Sequence, residues 1–254
     1  MQSYSKLITI LVLAGIISLC SCHSSHQLAT VKGSKIAITS DSTNKPNENI
    51  VSIVAPYKAK VDSIMLPVIG RSSKGMEVKR PESLLSNLIS DILRESAATY
   101  IGHPADLAVM NMGGIRSSLN EGNILYQDAF EILPFENSLC IVYLKGNVLK
   151  ELMQNIVNVG GEGVSNVQLK ATKEKEIIGV NVGGKPIDDN RIYTVATVDY
   201  LAEGNDRMLA FRKAEKKESF DKATLRQLFL DYVSSLTAQG KELTSNMEGR
   251  ITFE

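Results

Sequence analysis

The sequence predicts an α+β domain behind an N-terminal targeting segment, and three observations carry that reading. Helical and extended hydrophobic periods alternate irregularly along residues 50–254, without the regular strand–helix wind of a parallel sheet. The composition is that of an ordinary globular chain: 254 residues, 43% apolar and 22% charged. The first 22 residues hold a short apolar run of a different kind. By length, one medium domain with a tail fits better than two domains. The 28 basic and 28 acidic side chains cancel, which excludes a broadly basic nucleic-acid surface. Only three histidines occur, His23, His26 and His103, too few for this chain to build a dinuclear hydrolytic metal centre by itself.

Residues 1–22 read MQSYSKLITILVLAGIISLCSC. One Lys precedes a mostly apolar run at 7–19, shorter than the roughly 20 residues of a membrane span and suited to a signal-peptide core. Leu19-Cys20-Ser21-Cys22 resembles a bacterial lipobox, with Cys22 as the lipidated residue; Cys20 fits poorly because bulky Leu19 would precede the cut. The alternative is an ordinary secretory signal cut nearby without lipid, but a mature secreted chain rarely opens on a spare thiol. Cleavage before Cys22 removes one Lys and no acid, leaving one net negative charge. Cys140, inside the apolar run SLCIVYL, is then expected as a lone buried thiol, so no disulfide forms within a mature chain. Residues 22–49 form the lipidated Cys and a tether rich in Ser, Thr, Asn and Lys, with a weak hairpin around Lys32-Gly33-Ser34. Fully flexible, this tether would span roughly 30 Å r.m.s.. The globular part runs over 50–254.

Ile53, Tyr57, Val61 and Ile64 fall three or four apart and predict an amphipathic helix over 50–66, with Pro56 in its first two turns. A second helix is predicted over 82–100, about 28 Å long, with Pro81 and Glu82 suited to its first turn and Leu84, Leu85, Leu88, Ile89, Ile92 and Leu93 facing the core. Residues 106–111 are a short apolar strand running into Gly113 and Gly114. Further strands are expected at 138–144, 167–171, 177–182 and 193–198, and helices at 145–157 and 222–239. Gly183, Gly184 and Pro186 mark a tight connection, and 250–253 closes the sheet.

Chemistry begins at NMGGIR, residues 111–116. Gly113 and Gly114 let backbone N–H groups approach a ligand, Arg116 can grip a phosphate or carboxylate in bidentate fashion, and Asn111 can bond a ligand or brace the loop. Taken alone, a glycine turn with an Arg paired on the surface explains the motif equally well. The run DYLAEGND, 199–206, follows a strand; Tyr200 could stack on a planar base and Asp206 accept from hydroxyls, against a plain core tyrosine and solvated loop. VGGEGVSN, 159–166, reads as a flexible loop and not as a dinucleotide fingerprint. His103, in GHPAD, is a surface turn residue or, less simply, a metal ligand.

The series ESLLSNLISDIL, ADLAVMNMGGIRSSLNEGNILYQDAFEILPFENSL, YLKGNVLKELM and YTVATVDYLAEGNDRM resembles the C-terminal domain of 5′-nucleotidases and UDP-sugar hydrolases, over about 51–251. The resemblance implies a mixed, largely antiparallel sheet packed with helices, and a domain that binds the nucleoside part of the substrate while a separate N-terminal metallophosphoesterase domain holds two metal ions. By position it implies that Asn111 and Arg116 contact substrate, that Tyr200 is one of two base-stacking aromatics, that Asp206 takes the ribose hydroxyls and that Asn166 contacts the base. The upstream substrate arginine falls at Lys79-Arg80, where Lys79 aligns better. Val164 falls where the second aromatic is expected, making one face of the sandwich aliphatic, and Asn205 replaces a glycine of the family's GGDG loop. Losing one base–aromatic stack is worth about 1–3 kcal/mol.

The family's metal-ligand motifs, Asp-x-His, Asn-His and His-x-His, are absent from this sequence. Three functions follow as expectations. In the first, this lipoprotein is the specificity subunit of a split 5′-nucleotidase in nucleotide catabolism, binding no cofactor itself. Its partner is then a separate metallophosphoesterase subunit carrying the divalent metals. In the second it is a stand-alone nucleotide- or nucleoside-binding lipoprotein, and in the third a partner-binding domain with a decayed pocket. The first is preferred because Asn111, Arg116, Asn166, Tyr200 and Asp206 occur together. The expected place is the bacterial envelope, held by a lipid anchor only. His23 after the lipid Cys, without an acidic run, fits an outer-membrane lipoprotein facing the periplasm.

Overall fold

The computed structural model describes residues 30–35 and 46–254. The expected signal peptide, Cys22, His23, His26 and most of the tether lie outside the described residues. Residues 30–35, within the expected hairpin, have no regular structure. By contacts the chain divides into Met1–Val51 and Ser52–Glu254.

Helix α1 (Glu48–Met65) forms where the three-and-four spacing predicts it. Its apolar row stays uncovered: Ile53, Tyr57, Val61 and Ile64 are exposed and no residue of α1 is buried. Strand β1 (Val68–Ser72) follows, then a loop to α2 (Leu84–Ser96). Helix α2 starts later than its sequence pattern implies, because Ser83 caps it. The Ser83 hydroxyl accepts from Ser86 N–H at 3.3 Å, and the Ser86 hydroxyl accepts from Ser83 N–H at 3.1 Å. Pro81 and Glu82 therefore stand outside the helix. Glu82 is buried, and its carboxylate accepts from Glu248 N–H at 2.9 Å, Arg250 N–H at 2.8 Å and Asn87 Nδ2 at 2.7 Å. Leu85, Leu88, Ile89, Ile92 and Leu93 make the buried stripe. The helix breaks at Ala97 into the short α3 (Ala98–Ile101), closed by Gly102 in the left-handed region, so no single helix reaches residue 100.

Next come β2 (Leu107–Met110), a 3-10 turn (Met112–Gly114), β3 (Gly122–Leu125), α4 (Tyr126–Ile132), β4 (Ser138–Lys145) and α5 (Gly146–Asn158). After them lie β5 (Gly163–Ser165), β6 (Val167–Ala171), β7 (Ile177–Val182), β8 (Lys185–Pro186) and β9 (Ile192–Val198). The chain closes with α6 (Asp199–Ala202), a 3-10 turn (Leu209–Lys213), β10 (Lys216–Thr224), α7 (Leu225–Ala238) and β11 (Ile251–Phe253). Two expectations change here. Gly163–Ser165, read as loop, is a fully buried strand. Residues 222–224, read as helix, end β10, and the helix waits for Thr224, whose hydroxyl accepts from Gln227 N–H at 3.2 Å.

The fold is α+β. A five-stranded sheet runs β10-β4-β9-β2-β5, antiparallel except for the β2–β9 pair. A four-stranded sheet runs β11-β6-β7-β8 with one parallel pair, β11–β6, and β1 pairs antiparallel with β3. Helix α2 lies on β2 and β5 and against α7. Strand β4 is buried on both faces, which is why it reads as a continuous apolar run, and Cys140 is wholly buried within it. Among the described residues, no helix is long and apolar enough to cross a membrane.

Candidate functional site

The parallel pair fixes where the site lies. Strands β2 and β9 are adjacent and run the same way, so Asn111 after β2 and the 199–206 run after β9 leave the sheet at one edge. Strand β4 is antiparallel to β9, with Leu139 opposite Val198, so the residues just before β4 reach that same edge. Strand β5 is antiparallel to β2, with Gly163 opposite Met110, so Glu162 reaches it as well.

At this edge a cavity of about 380 Å³ is lined by Asn111, Gly113, Gly114, Arg116, Phe135, Asn137, Tyr200 and Asp206. Asp206 organises it. One carboxylate oxygen accepts from Asn111 Nδ2 at 2.6 Å and the other from the Tyr200 hydroxyl at 2.9 Å. Donating to Asp206 keeps the Tyr200 hydroxyl protonated to higher pH than usual. The other amide atom of Asn111, Oδ1, is buried and unpartnered, an acceptor that a ligand donor would satisfy. Gly114 packs closely beside it: a Cβ there would lie 2.6 Å from Met110 Cε and 2.9 Å from Asn111 Oδ1 and would displace one of these side chains. Arg116 donates to Gly113 O at 3.1 Å and is otherwise exposed. Asn205, the expected glycine replacement, is accommodated because its side chain donates to Tyr200 O at 2.8 Å.

Phe135 was not among the sequence candidates, nor was Asn137. Phe135 is 48% exposed, Tyr200 41%, and both line this cavity. The 133–137 loop is held from α7 by Arg226, which donates to Leu133 O at 3.0 Å, pairs with Glu136 and lies 4.1 Å over the Phe130 ring. The signal was present: both residues sit in the run LPFEN, an aromatic and an amide just before an apolar strand.

Val164 and Asn166 are not brought to the cavity, and the topology gives the reason. Val164 lies mid-strand opposite Val109 at 1% exposure, inside the core. Asn166 leaves β5 at the opposite sheet edge, where its Nδ2 donates to Asp106 O at 2.7 Å just before β2 begins. At φ 59° it serves as a left-handed corner between β5 and β6. The ring that shares the cavity with Tyr200 is Phe135.

Lys79 and Arg80 line a second cleft of about 520 Å³ with Met112, Gly113, Arg116, Ser117 and Ser118. Gly113 and Arg116 line both hollows, so Arg116 stands between them. Lys79 is exposed, while Arg80 pairs with buried Glu162 and donates to Gly161 O at 2.8 Å. His103 is exposed, with Nδ1 2.8 Å from Pro104 O. Among the described residues no group of three His, Cys, Asp or Glu side chains is arranged to hold a metal ion.

Residues 68–213 match the family described as 5′-nucleotidase, C-terminal domain. The cell wall protein Lmo0130 of Listeria monocytogenes is 27% identical over 235 residues, covering 82% of this chain and 30% of that protein. Protein UshA of Yersinia enterocolitica is 31% identical over 157 residues, covering 60% of this chain and 27% of that one. The 5′-nucleotidase precursor of Thermus thermophilus superposes with a TM-score of 0.68 at 26% identity, over 81% of this chain and 42% of that structure. The chain therefore spans less than a third of the length of these two curated relatives.

Proposed function

The chain belongs to the 5′-nucleotidase C-terminal domain family of hydrolases, and on that premise we propose that it recognises the nucleotide for a split 5′-nucleotidase. One observation carries the reading: two half-exposed aromatic rings and a hydrogen-bonded carboxylate share one cavity beside an arginine. Phe135 and Tyr200 offer faces for a planar base. Asp206 already accepts two hydrogen bonds, but an ionised carboxylate has about four lone-pair sites, so it retains room for a ribose diol. The 5′-phosphate then extends past Gly113 and Gly114 to Arg116, with Lys79 and Arg80 in the adjoining cleft.

Hydrolysis belongs, in this reading, to a separate metallophosphoesterase subunit that brings the divalent metals. The exposed apolar row of α1 favours such a partner, because contiguous apolar surface on a soluble domain commonly marks a contact face. Anchoring through Cys22 at the outer membrane, facing the periplasm, completes the proposal: two tethered subunits gain effective concentration. Supplied with AMP and Mg²⁺, Mn²⁺ or Zn²⁺, the isolated protein should release no phosphate. Appreciable release by the protein alone would overturn the split reading.

A further inference from the structure

We propose that Glu162 is a positioning residue that braces the two walls of the cation-lined cleft, fixing Arg80 and the Met112–Gly114 turn to each other. The proposal rests on the nucleotide reading above and adds a residue outside the cavity to it. Glu162 is 3% exposed and lines neither hollow. One of its carboxylate oxygens pairs with Arg80, and the other accepts from Met112 N–H at 2.5 Å. Arg80 and Met112 both line the cleft that adjoins Arg116. The backbone is shaped for this contact. Gly161 adopts φ 104°, and a Cβ there would lie 2.6 Å from Pro81 O and 2.7 Å from Pro81 Cα, so only glycine lets the segment lie against Arg80–Pro81. Glu162 thus touches the ligand site only through two groups that form its wall.

The surroundings of Glu162 act on its charge in both directions. Burial pushes its carboxyl above the usual glutamate range, although the Met112 N–H and Arg80 pull it down; Asp206 pushes it further up. The folded chain thus holds this proton more tightly than the unfolded chain does. The contribution of this group to stability therefore falls as pH rises from the ordinary glutamate value through the raised one. The charged groups that face it are Arg80 and Asp206.

The test titrates the protein and Glu162→Gln with AMP and with adenosine, between about pH 5 and 8 at fixed ionic strength. The variant keeps an acceptor for Met112 but loses its hold on Arg80, so AMP affinity should fall about tenfold. Adenosine, which lacks the group that reaches the cleft, should lose much less. As pH falls, the parent's AMP affinity should converge on the variant's, and the variant should show only the titration of the phosphate itself. Equal AMP affinity and equal pH profiles in the two proteins would overturn the proposal, whatever happens to thermal stability. If the parent binds neither ligand, the nucleotide reading fails, and amide exchange at Met112 in Glu162→Ala decides the brace. Faster exchange confined to 112–114 would uphold it, and unchanged exchange would overturn it.

Discussion

Arg116 stands between the aromatic cavity and the cationic cleft, so its removal separates two contributions to binding. Arg116→Ala should weaken AMP by roughly 10- to 100-fold, the scale of a charge-assisted contact to phosphate, and leave adenosine nearly unchanged. Phe135→Ala should instead weaken both ligands alike, by about 1–3 kcal/mol. Parallel titrations check both, and a Phe135→Ala protein with parental affinity would remove that ring from the base site. At this scale much of the candidate site is legible in the sequence. Asn111, Gly113, Gly114, Arg116, Tyr200 and Asp206 are conspicuous because each closely follows an apolar strand, where ligands bind. Phe135 and Asn137 escape notice for a physical reason. Chain order does not say which strand ends share a sheet edge, and the clamp on their loop comes from Arg226, about ninety residues away. Val164 and Asn166 enter the candidate set only through the resemblance by position, which does not reveal that one lies in the core and the other at the opposite sheet edge.

The elements differ in how plainly they are written. Helix α2 is legible because its buried stripe repeats at helical spacing, while its start depends on Ser83 and Ser86 pairing as a cap. Strand β10, KKESFDKAT, pairs along one side only, at the end of its sheet, and is mostly polar, so its period is faint. Strand β5 is three residues long and opens on Gly163, and it pairs with β2. The loop after α6 carries strain: Asp206 sits at φ 49° and Arg207 at φ 66°. Asp visits this region readily, whereas Arg does so at a penalty of about 1–2 kcal/mol. Arg207→Gly should therefore raise stability by about 1 kcal/mol, read as a higher midpoint of thermal unfolding. A lower midpoint would show that the Arg207 side chain contributes more than its backbone strain removes.

At the scale of the whole molecule, the candidate site is assembled at one edge of one sheet. The β2–β9 parallel pair, flanked by antiparallel β4 and β5, delivers Asn111, Asp206, Phe135 and Glu162 to the same side. The α+β class is readable from irregular alternation; the shared edge is not, because it depends on pairings between strands up to ninety residues apart. The most direct test of the account is calorimetric titration of the protein with AMP and adenosine. Saturable binding of both, tighter for AMP than for adenosine, is the predicted result. No heat from either ligand at millimolar concentration would contradict a nucleotide-recognising cavity and leave the geometry of that edge without its proposed task.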